Sequence, residues 1–370
     1  MNVLILSDLI VYSGVGQYIV QLGGYIAKET CNTVVLASSK IVRTDIPKDV
    51  IVVNLPSLNN VLNYLKSLDK IIKRYKIDVV HCNHRKQTFM IRLYQFVYGK
   101  IPTVWTCHTV PYPNNWIKRL LGYYGHKSIA ISSEAYNWMQ KELHIEQSKI
   151  DKIINGVDNN NLVFSPINKF KLKEHFFEKY FNERLDDINI KIIVAHGRLH
   201  PIKGLDLLIE AYAKLHESLR QNTKLVISGD INVPYYSELI SLIKKYQISN
   251  SVYFTGWIAS SEIFGIADLM VQPSHREGFP LAVIEAFLMK VPVIRTKVGG
   301  YEDMKDCCIG IPVNNINAIY HELKNWISNS NSLETMVEKA YQFAIDQGTI
   351  KAMSCKTIET YKRAIKLCQS

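Results

Sequence analysis

The chain has 370 residues, enough for two domains at about 150 residues each. With 47% hydrophobic and 21% charged residues it reads as globular, which excludes a disordered, collagen-like or disulfide-stapled chain. The formal net charge of +11 favours an anionic partner without identifying it.

In chain order, Val3–Ser7, Thr33–Ala37, Ile51–Leu55, Asp78–Cys82, Thr103–Cys107 and Ser128–Ser132 are short β-branched runs that predict strands. Helical spacing follows most of them, as in Val61–Tyr75 with its apolar positions Val61, Leu62, Leu65, Leu68, Ile71 and Ile72. Residues 9–27 are uncharged but hold four glycines, a serine and two glutamines, so a strand–turn–helix is expected there rather than a membrane span. No basic leader precedes Val3, and a cytoplasmic protein without a transmembrane helix is expected. Asn155-Gly156-Val157-Asp158, with Asn159–Asn161 after it, signals a turn and a linker.

The pattern then repeats. Lys191–Ala195, Lys224–Ser228, Val252–Thr255, Leu269–Gln272, Pro292–Thr296 and Ile309–Val313 predict strands. Gly204–Leu215, Tyr235–Tyr246, Pro280–Met289 and Ala318–Ser328 predict helices, and residues 332–347 and 350–368 two closing helices. Such alternation means parallel sheets with helices on both faces, whose ligands bind at the carboxyl ends of the strands. Two such domains would face each other across a cleft. Residues 1–158 carry 19 Lys/Arg against 11 Asp/Glu, and residues 159–370 carry 25 against 22, so the first half holds most of the basic excess.

Five segments could carry chemistry. Ser13-Gly14-Val15-Gly16 follows the first strand, where glycines let amides approach an anion. Ile19 stands where a dinucleotide fingerprint needs its third glycine, and a turn made for packing explains the pair equally well. Thr106-Cys107-His108-Thr109 puts His108 at a strand end, as a core-edge histidine or a site residue. Asn114–Tyr124 sets Trp116 and aliphatic residues beside Lys118 and Arg119, as in a helix lying on an anionic membrane or one half-buried on the sheet. In Gly197-Arg198-Leu199-His200-Pro201-Ile202-Lys203-Gly204, an arginine fork and a lysine charge could converge on one polyanion. In Glu277-Gly278-Phe279-Pro280-Leu281, Pro280 suits the first helical position, so the amides of Phe279 and Leu281 would meet an anion. Glu285, within apolar Val283–Phe287, needs partners, which either sugar or ribose hydroxyls or a neighbouring side chain would supply.

The seven cysteines include no Cys-x-x-Cys pair, and buried free thiols are expected, Cys31, Cys82 and Cys107 lying in apolar runs. No Asp-x-Asp occurs, and no recognised nucleic-acid motif accompanies the charge, so no nucleic-acid partner is expected.

Together these residues resemble the retaining family-4 glycosyltransferases of the GT-B fold, two doubly wound Rossmann-like domains. Glu277 and Glu285 match the family's Glu-x7-Glu signature, and Gly197-Arg198 with Lys203-Gly204 its phosphate-binding segment. Asn155–Asp158 matches its interdomain turn, and Gly299-Gly300 its late glycine pair. Ser13 and Asp303 depart from its usual glycine and glutamate.

The resemblance implies an acceptor-binding domain over 1–158, a nucleotide-sugar-binding domain over 159–348 and a helix over 349–370 returning to the first. It implies that Arg198 and Lys203 hold the donor diphosphate, Glu285 the ribose and Glu277 the transferred sugar. Gly278, Phe279 and Leu281 would offer backbone contacts. His108 would stand near the reacting centre, and Gly14 and Gly16 near the phosphates and acceptor. The implied reaction moves a hexose-type sugar from a nucleotide diphosphate donor, UDP-linked by expectation, to a glycan or lipid-linked hydroxyl. No cofactor or metal is expected, Arg198 and Lys203 taking the metal's place. Ile-, Lys- and Asn-rich usage hints at a bacterial source. For such a source the resemblance implies surface polysaccharide or lipopolysaccharide assembly, with the protein cytoplasmic or peripheral on the inner face of an anionic membrane. A nucleotide-sugar epimerase on the same fold, or a non-catalytic binding protein, are the alternatives.

Overall fold

The computed structural model describes residues 1–30, 32–108, 122–162, 164, 169–185, 187–329 and 333–369. Cys31, Lys118 and Arg119, with most of the Asn114–Tyr124 segment, lie outside the described residues.

The chain forms two compact units, Met1–Val157 with Gln347–Ser370, and Asp158–Asp346. In unit 1 the strands are β1 (Val3–Ile10), β2 (Val34–Ile41), β3 (Ile51–Asn54), β4 (Val79–Cys82), β5 (Thr103–Cys107), β6 (Lys127–Ala130) and β7 (Ile150–Lys152). Its helices are α1 (Gly14–Thr30), α2 (Val61–Arg74), α3 (Arg85–Tyr98) and α4 (Ser133–Lys141). All strands are parallel, in the order β3-β2-β1-β4-β5-β6-β7. Residues 3–6 of β1 and 34–37 of β2 are buried on both faces, as parallel strands under helices must be. Residues 9–27 are the end of β1, a turn and α1. Among the described residues no helix is long and apolar enough to cross a membrane.

Unit 2 repeats the plan. Its helices begin with α5 (Lys169–Phe181), followed by β8 (Lys191–His196), α6 (Leu205–Ala213), α7 (Glu217–Gln221), β9 (Thr223–Ser228), α8 (Pro234–Lys245) and β10 (Val252–Phe254). Then come α9 (Ser260–Ile266), β11 (Leu269–Gln272), α10 (Leu281–Leu288), β12 (Val293–Thr296), α11 (Tyr301–Met304), β13 (Ile309–Ile311), α12 (Ile316–Ser328) and α13 (Glu334–Gln347). The sheet is again parallel, in the order β10-β9-β8-β11-β12-β13. Both sheets reverse direction beside their first strand, between β1 and β4 and between β8 and β11, where doubly wound sheets open a crevice.

The last helix, α14 (Ile350–Gln369), belongs to unit 1. Met353, Tyr361 and Ala364 enter the core formed by β1 and α1. The Asn155–Val157 turn is pinned where the chain returns: Val157 N–H donates to Gly348 O and Ile350 N–H to Val157 O. A side chain at Gly156 would collide with the Thr349 carbonyl, which explains the glycine. Cys82, Cys107, Cys307 and Cys308 are buried free thiols, whereas Cys355 is exposed.

Candidate active site

The loop after β8 runs from Gly197 to a single 3-10 turn at Pro201–Lys203. His200 caps that turn, its Nδ1 accepting from Ile202 N–H at 3.1 Å. Gly204 then takes φ +62°, and a side chain there would strike the Pro273 carbonyl, so the loop lies against the end of β11. His275 N–H donates to Ile202 O at 2.8 Å and closes the two loops together.

This packing brings Lys203 onto Glu277. Lys203 Nζ donates to Glu277 Oε1 at 2.6 Å, and Ser274 Oγ donates to the same oxygen at 2.7 Å. Glu277 Oε2 accepts no hydrogen bond among the described residues. Arg198 is exposed. Arg198 and Lys203 line one small pocket with Gly197, Ser228, Gln272 and Ser274, at the ends of β8, β9 and β11. Gln272 Oε1 is buried without a partner among the described residues.

The Gly299-Gly300 pair supports the acidic loop from behind. A side chain at Gly299 would meet the Glu277 and Gly278 carbonyls, and one at Gly300 the Phe279 ring. Fully buried Arg295 holds this turn by donating to Val298 O at 3.0 Å and Gly299 O at 2.9 Å. Phe279 is buried and Leu281 is the first residue of α10. The helix therefore starts one residue later than Pro280, which is the extended cap (φ −83°, ψ 105°). Proline's fixed φ suits the cap as well as the first turn.

Glu285 sits in the second turn of α10 with burial pushing its carboxyl pKa up, while a hydrogen bond from Ser260 opposes the shift. Ser260 Oγ donates to Glu285 Oε2 at 2.9 Å and lies 3.3 Å from His196 Nε2, while His196 Nδ1 lies 3.1 Å from Ser228 Oγ. Burial first, then the Lys203 charge, lowers the His196 pKa to about 4, so its ring is neutral. Ser260 gives its single proton to Glu285 and so accepts from His196 Nε2–H, which leaves Nδ1 to accept from Ser228, whose one O–H then cannot also serve the Gly256 carbonyl 3.3 Å away. Trp257, 62% exposed, packs its ring 5.4 Å from that of His196. Ser260, Ser274 and His196 were missed by the sequence reading. His196 ends β8 and Ser274 follows β11, which was the available hint for those two, while Ser260 opens α9.

In unit 1, Ser13 is the cap of α1: its Oγ accepts from Gly16 N–H at 3.1 Å. A side chain at Gly16 would overlap the Val11 carbonyl, so this glycine serves the turn. Gly14 is exposed and faces open space. His108 follows β5, 4% exposed, with Nε2 2.9 Å from Asn83 Oδ1. Asn83 Nδ2 donates to Leu6 O at 3.0 Å, so its Oδ1 can only accept, and the His108 proton sits on Nε2. Nδ1 is then the basic nitrogen. Burial, then His84 and His81, hold the His108 pKa well below the usual histidine value, so the ring is neutral. Tyr18 meets it edge-on at 4.8 Å. Asp8 Oδ1 and His84 Nδ1 are buried without partners among the described residues. Neither they nor Asn83 was singled out from the sequence.

The structure thus gathers Arg198, Lys203, Glu277, Gly278, Phe279, Leu281 and Glu285 along the carboxyl ends of the unit 2 strands. It places Gly14, Gly16 and His108 at the corresponding ends in unit 1.

Residues 176–343 match the family model described as Glycosyl transferases group 1, and residues 12–161 that of Glycosyltransferase Family 4. Lipopolysaccharide glucosyltransferase WaaG of Escherichia coli (strain K12) is 38% identical over 100 residues, 27% of this chain and 26% of that protein. The UDP-Gal:alpha-D-GlcNAc-diphosphoundecaprenol alpha-1,3-galactosyltransferase of Escherichia coli is 28% identical over 262 residues, 66% of this chain and 64% of that protein. The chain thus spans about a quarter of the first relative and just under two thirds of the second. A glycosyltransferase structure from Rickettsia africae ESF-5 superposes with a TM-score of 0.84 at 22% identity, covering 99% of both chains.

Proposed function

We propose that the chain is a GT-B glycosyltransferase, its two matched segments and its fold supporting that reading, and that it is a retaining, metal-independent hexosyltransferase using a UDP-linked sugar. The observation that carries the reading is the Lys203–Glu277–Ser274 cluster beside Arg198, at the point where the unit 2 sheet reverses. In this reading Arg198 forks onto the donor diphosphate and Lys203 bridges it to Glu277. Glu277 Oε2 accepts from a sugar hydroxyl, and Glu285 Oε1 accepts from the ribose while Ser260 holds Oε2. Backbone groups of Gly278, Phe279 and Leu281 border the sugar. As the anomeric bond breaks, charge gathers on the departing diphosphate, and fixed cations favour that state without reorganising.

The acceptor falls to unit 1, where Gly14 and Gly16 flank the amino end of α1 and neutral His108 offers Nδ1 to a hydroxyl proton. The two Escherichia coli relatives are named for lipopolysaccharide and diphosphoundecaprenol-linked substrates, which supports a glycan or lipid-linked acceptor in bacterial surface-polysaccharide assembly. No resident cofactor is required by this chemistry.

The test is an incubation of UDP-linked radiolabelled glucose or galactose with a bacterial lipid extract, with and without EDTA. Label moving into the lipid fraction in the presence of EDTA is the expected result. Interconversion of the UDP-sugars without acceptor would make the protein an epimerase. Binding of UDP without either product would make it a non-catalytic binder, and loss of transfer with EDTA would overturn the metal-independent model.

A further inference from the structure

Four polar side chains lie inside unit 1 where apolar ones would pack: Tyr18 on α1, His81 on β4, Thr106 on β5 and Tyr361 on α14, each no more than 1% exposed. They are joined. The Tyr361 hydroxyl lies 2.6 Å from His81 Nδ1, His81 Nε2 lies 2.6 Å from Thr106 Oγ1, and Thr106 Oγ1 lies 3.3 Å from the Tyr18 hydroxyl. The Tyr18 hydroxyl also meets Thr357 of α14, whose own hydroxyl donates to Met353 O at 2.8 Å.

The order of protons along this relay is determined. The His81 ring is uncharged, so one nitrogen donates and the other accepts. The Tyr361 hydroxyl is fully buried and has no second partner among the described residues, so its proton goes to Nδ1. Nε2–H then donates to Thr106, Thr106 donates to Tyr18, and the Tyr18 proton is left for Thr357. The reverse order would orphan the Tyr361 proton in the core. The relay therefore starts on α14, crosses two strands and α1, and ends on α14. A buried network with every member satisfied fixes one arrangement of its side chains.

Tyr18 is where the relay meets the candidate site. His108 is held at two points, by Asn83 at Nε2 and by the Tyr18 ring edge-on at 4.8 Å. We propose that Tyr18 is a positioning residue for His108, and that the relay from α14 holds it in place. The proposal rests on the reading of His108 as the acceptor-side histidine. With Tyr18 tethered, the His108 ring keeps one orientation, its proton on Nε2 and Nδ1 unprotonated. With the tether cut, the ring turns and the two tautomers mix.

Magnetic resonance of the full chain, with histidine isotope-labelled at its ring nitrogens, tests this without any substrate. His81 and His108 are both expected to carry their proton on Nε2. Thr106→Val keeps the shape of the side chain and removes the hydroxyl. It should mix the His108 tautomers, and Thr106→Ser should restore the single form. In the radiolabel assay at saturating UDP-sugar, Thr106→Val should slow transfer about tenfold while keeping the thermal shift that UDP gives the wild type. A Thr106→Val protein that is less stable but has wild-type His108 signals and rate would overturn the proposal, as would a His81 proton on Nδ1. Should Thr106→Val not fold, Tyr18→Phe, which keeps the ring and loses only the hydroxyl, decides by the same signals. Absence of transfer by the wild type would count against the proposed function, and the ring signals would still decide the relay.

Discussion

Single residues set what this site can do. Lys203 and Ser274 both donate to one oxygen of Glu277, so the carboxylate is fixed in place with its second oxygen open. Lys203→Ala releases Glu277 and, in the proposed role, also removes a diphosphate contact. It should weaken nucleotide affinity tenfold or more, about 1.4 kcal/mol per decade, measurable by calorimetric titration. Glu285 gives a sharper prediction because burial raises its pKa. Between the unfolded value and that raised value, the folded chain keeps a proton that the unfolded chain releases, so stability falls as pH rises through this window. In the proposed role the ionised carboxylate accepts from the ribose at Oε1 while Ser260 holds Oε2, so nucleotide affinity should drop as pH falls through the same window. Glu285→Gln should therefore raise the melting temperature at pH 7, weaken UDP and flatten the pH dependence of binding. A variant that binds UDP like the wild type would remove Glu285 from the site. Glu277, Glu285, Arg198 and Lys203 were legible in the sequence because their spacing is set by one loop or one helix. Asn83, Ser260, Ser274 and His196 were not, because each acquires its role from a partner on another strand or helix.

At the scale of elements, the site depends on backbones that approach closely. Gly299→Ala would put a methyl group 2.2 Å from the Glu277 carbonyl, so the acidic loop must move. Nucleotide affinity should fall markedly while the circular dichroism of the sheet is kept; an unchanged affinity would show that the loop tolerates the shift. The closing helix α14 is tied in by Tyr361, whose hydroxyl lies 2.6 Å from His81 Nδ1, while His81 Nε2 lies 2.6 Å from Thr106 Oγ1. Tyr361→Phe strips one ring nitrogen of its buried partner and should cost about 1–3 kcal/mol in denaturant unfolding of unit 1. The pattern of apolar residues predicted most strands to within one or two residues, since buried parallel strands are short β-branched runs. It missed β7, whose three residues carry Asp151 and Lys152 and owe their place to pairing with β6. It also gave no sign of how much of α3 stays exposed, because an apolar helix position reads the same whether or not a neighbour covers it.

At the scale of the whole molecule, each unit buries an uncharged histidine. Burial lowers the pKa of His81 in unit 1 to about 3, and that of His196 in unit 2 to about 4. Between pH 6.5 and those values the unfolded chain takes up protons that the folded chain refuses, so stability is lost as pH falls. Each unit should lose about 2 kcal/mol between pH 7 and pH 5 from this source, seen as a lower urea midpoint at pH 5. A midpoint that does not change would mean that these rings are solvated. The plan of two parallel sheets was legible because strand–helix alternation occurs twice, whereas the strand order within each sheet was not, since periodicity does not say which edge the next strand joins. What periodicity cannot contain is the pairing of loops at the sheet ends, which is where the chemistry lies. The central claim is that a nucleotide donor is held at the ends of β8 and β11, and the most direct test is a thermal-shift titration of UDP against wild type, Lys203→Ala and Glu285→Ala. A ligand bound only by the folded chain raises its melting temperature in step with saturation. The account predicts a clear rise for the wild type and a rise displaced to tenfold or more higher UDP in both variants. An equal rise in all three proteins, or none in the wild type with UDP, GDP or ADP, would contradict it.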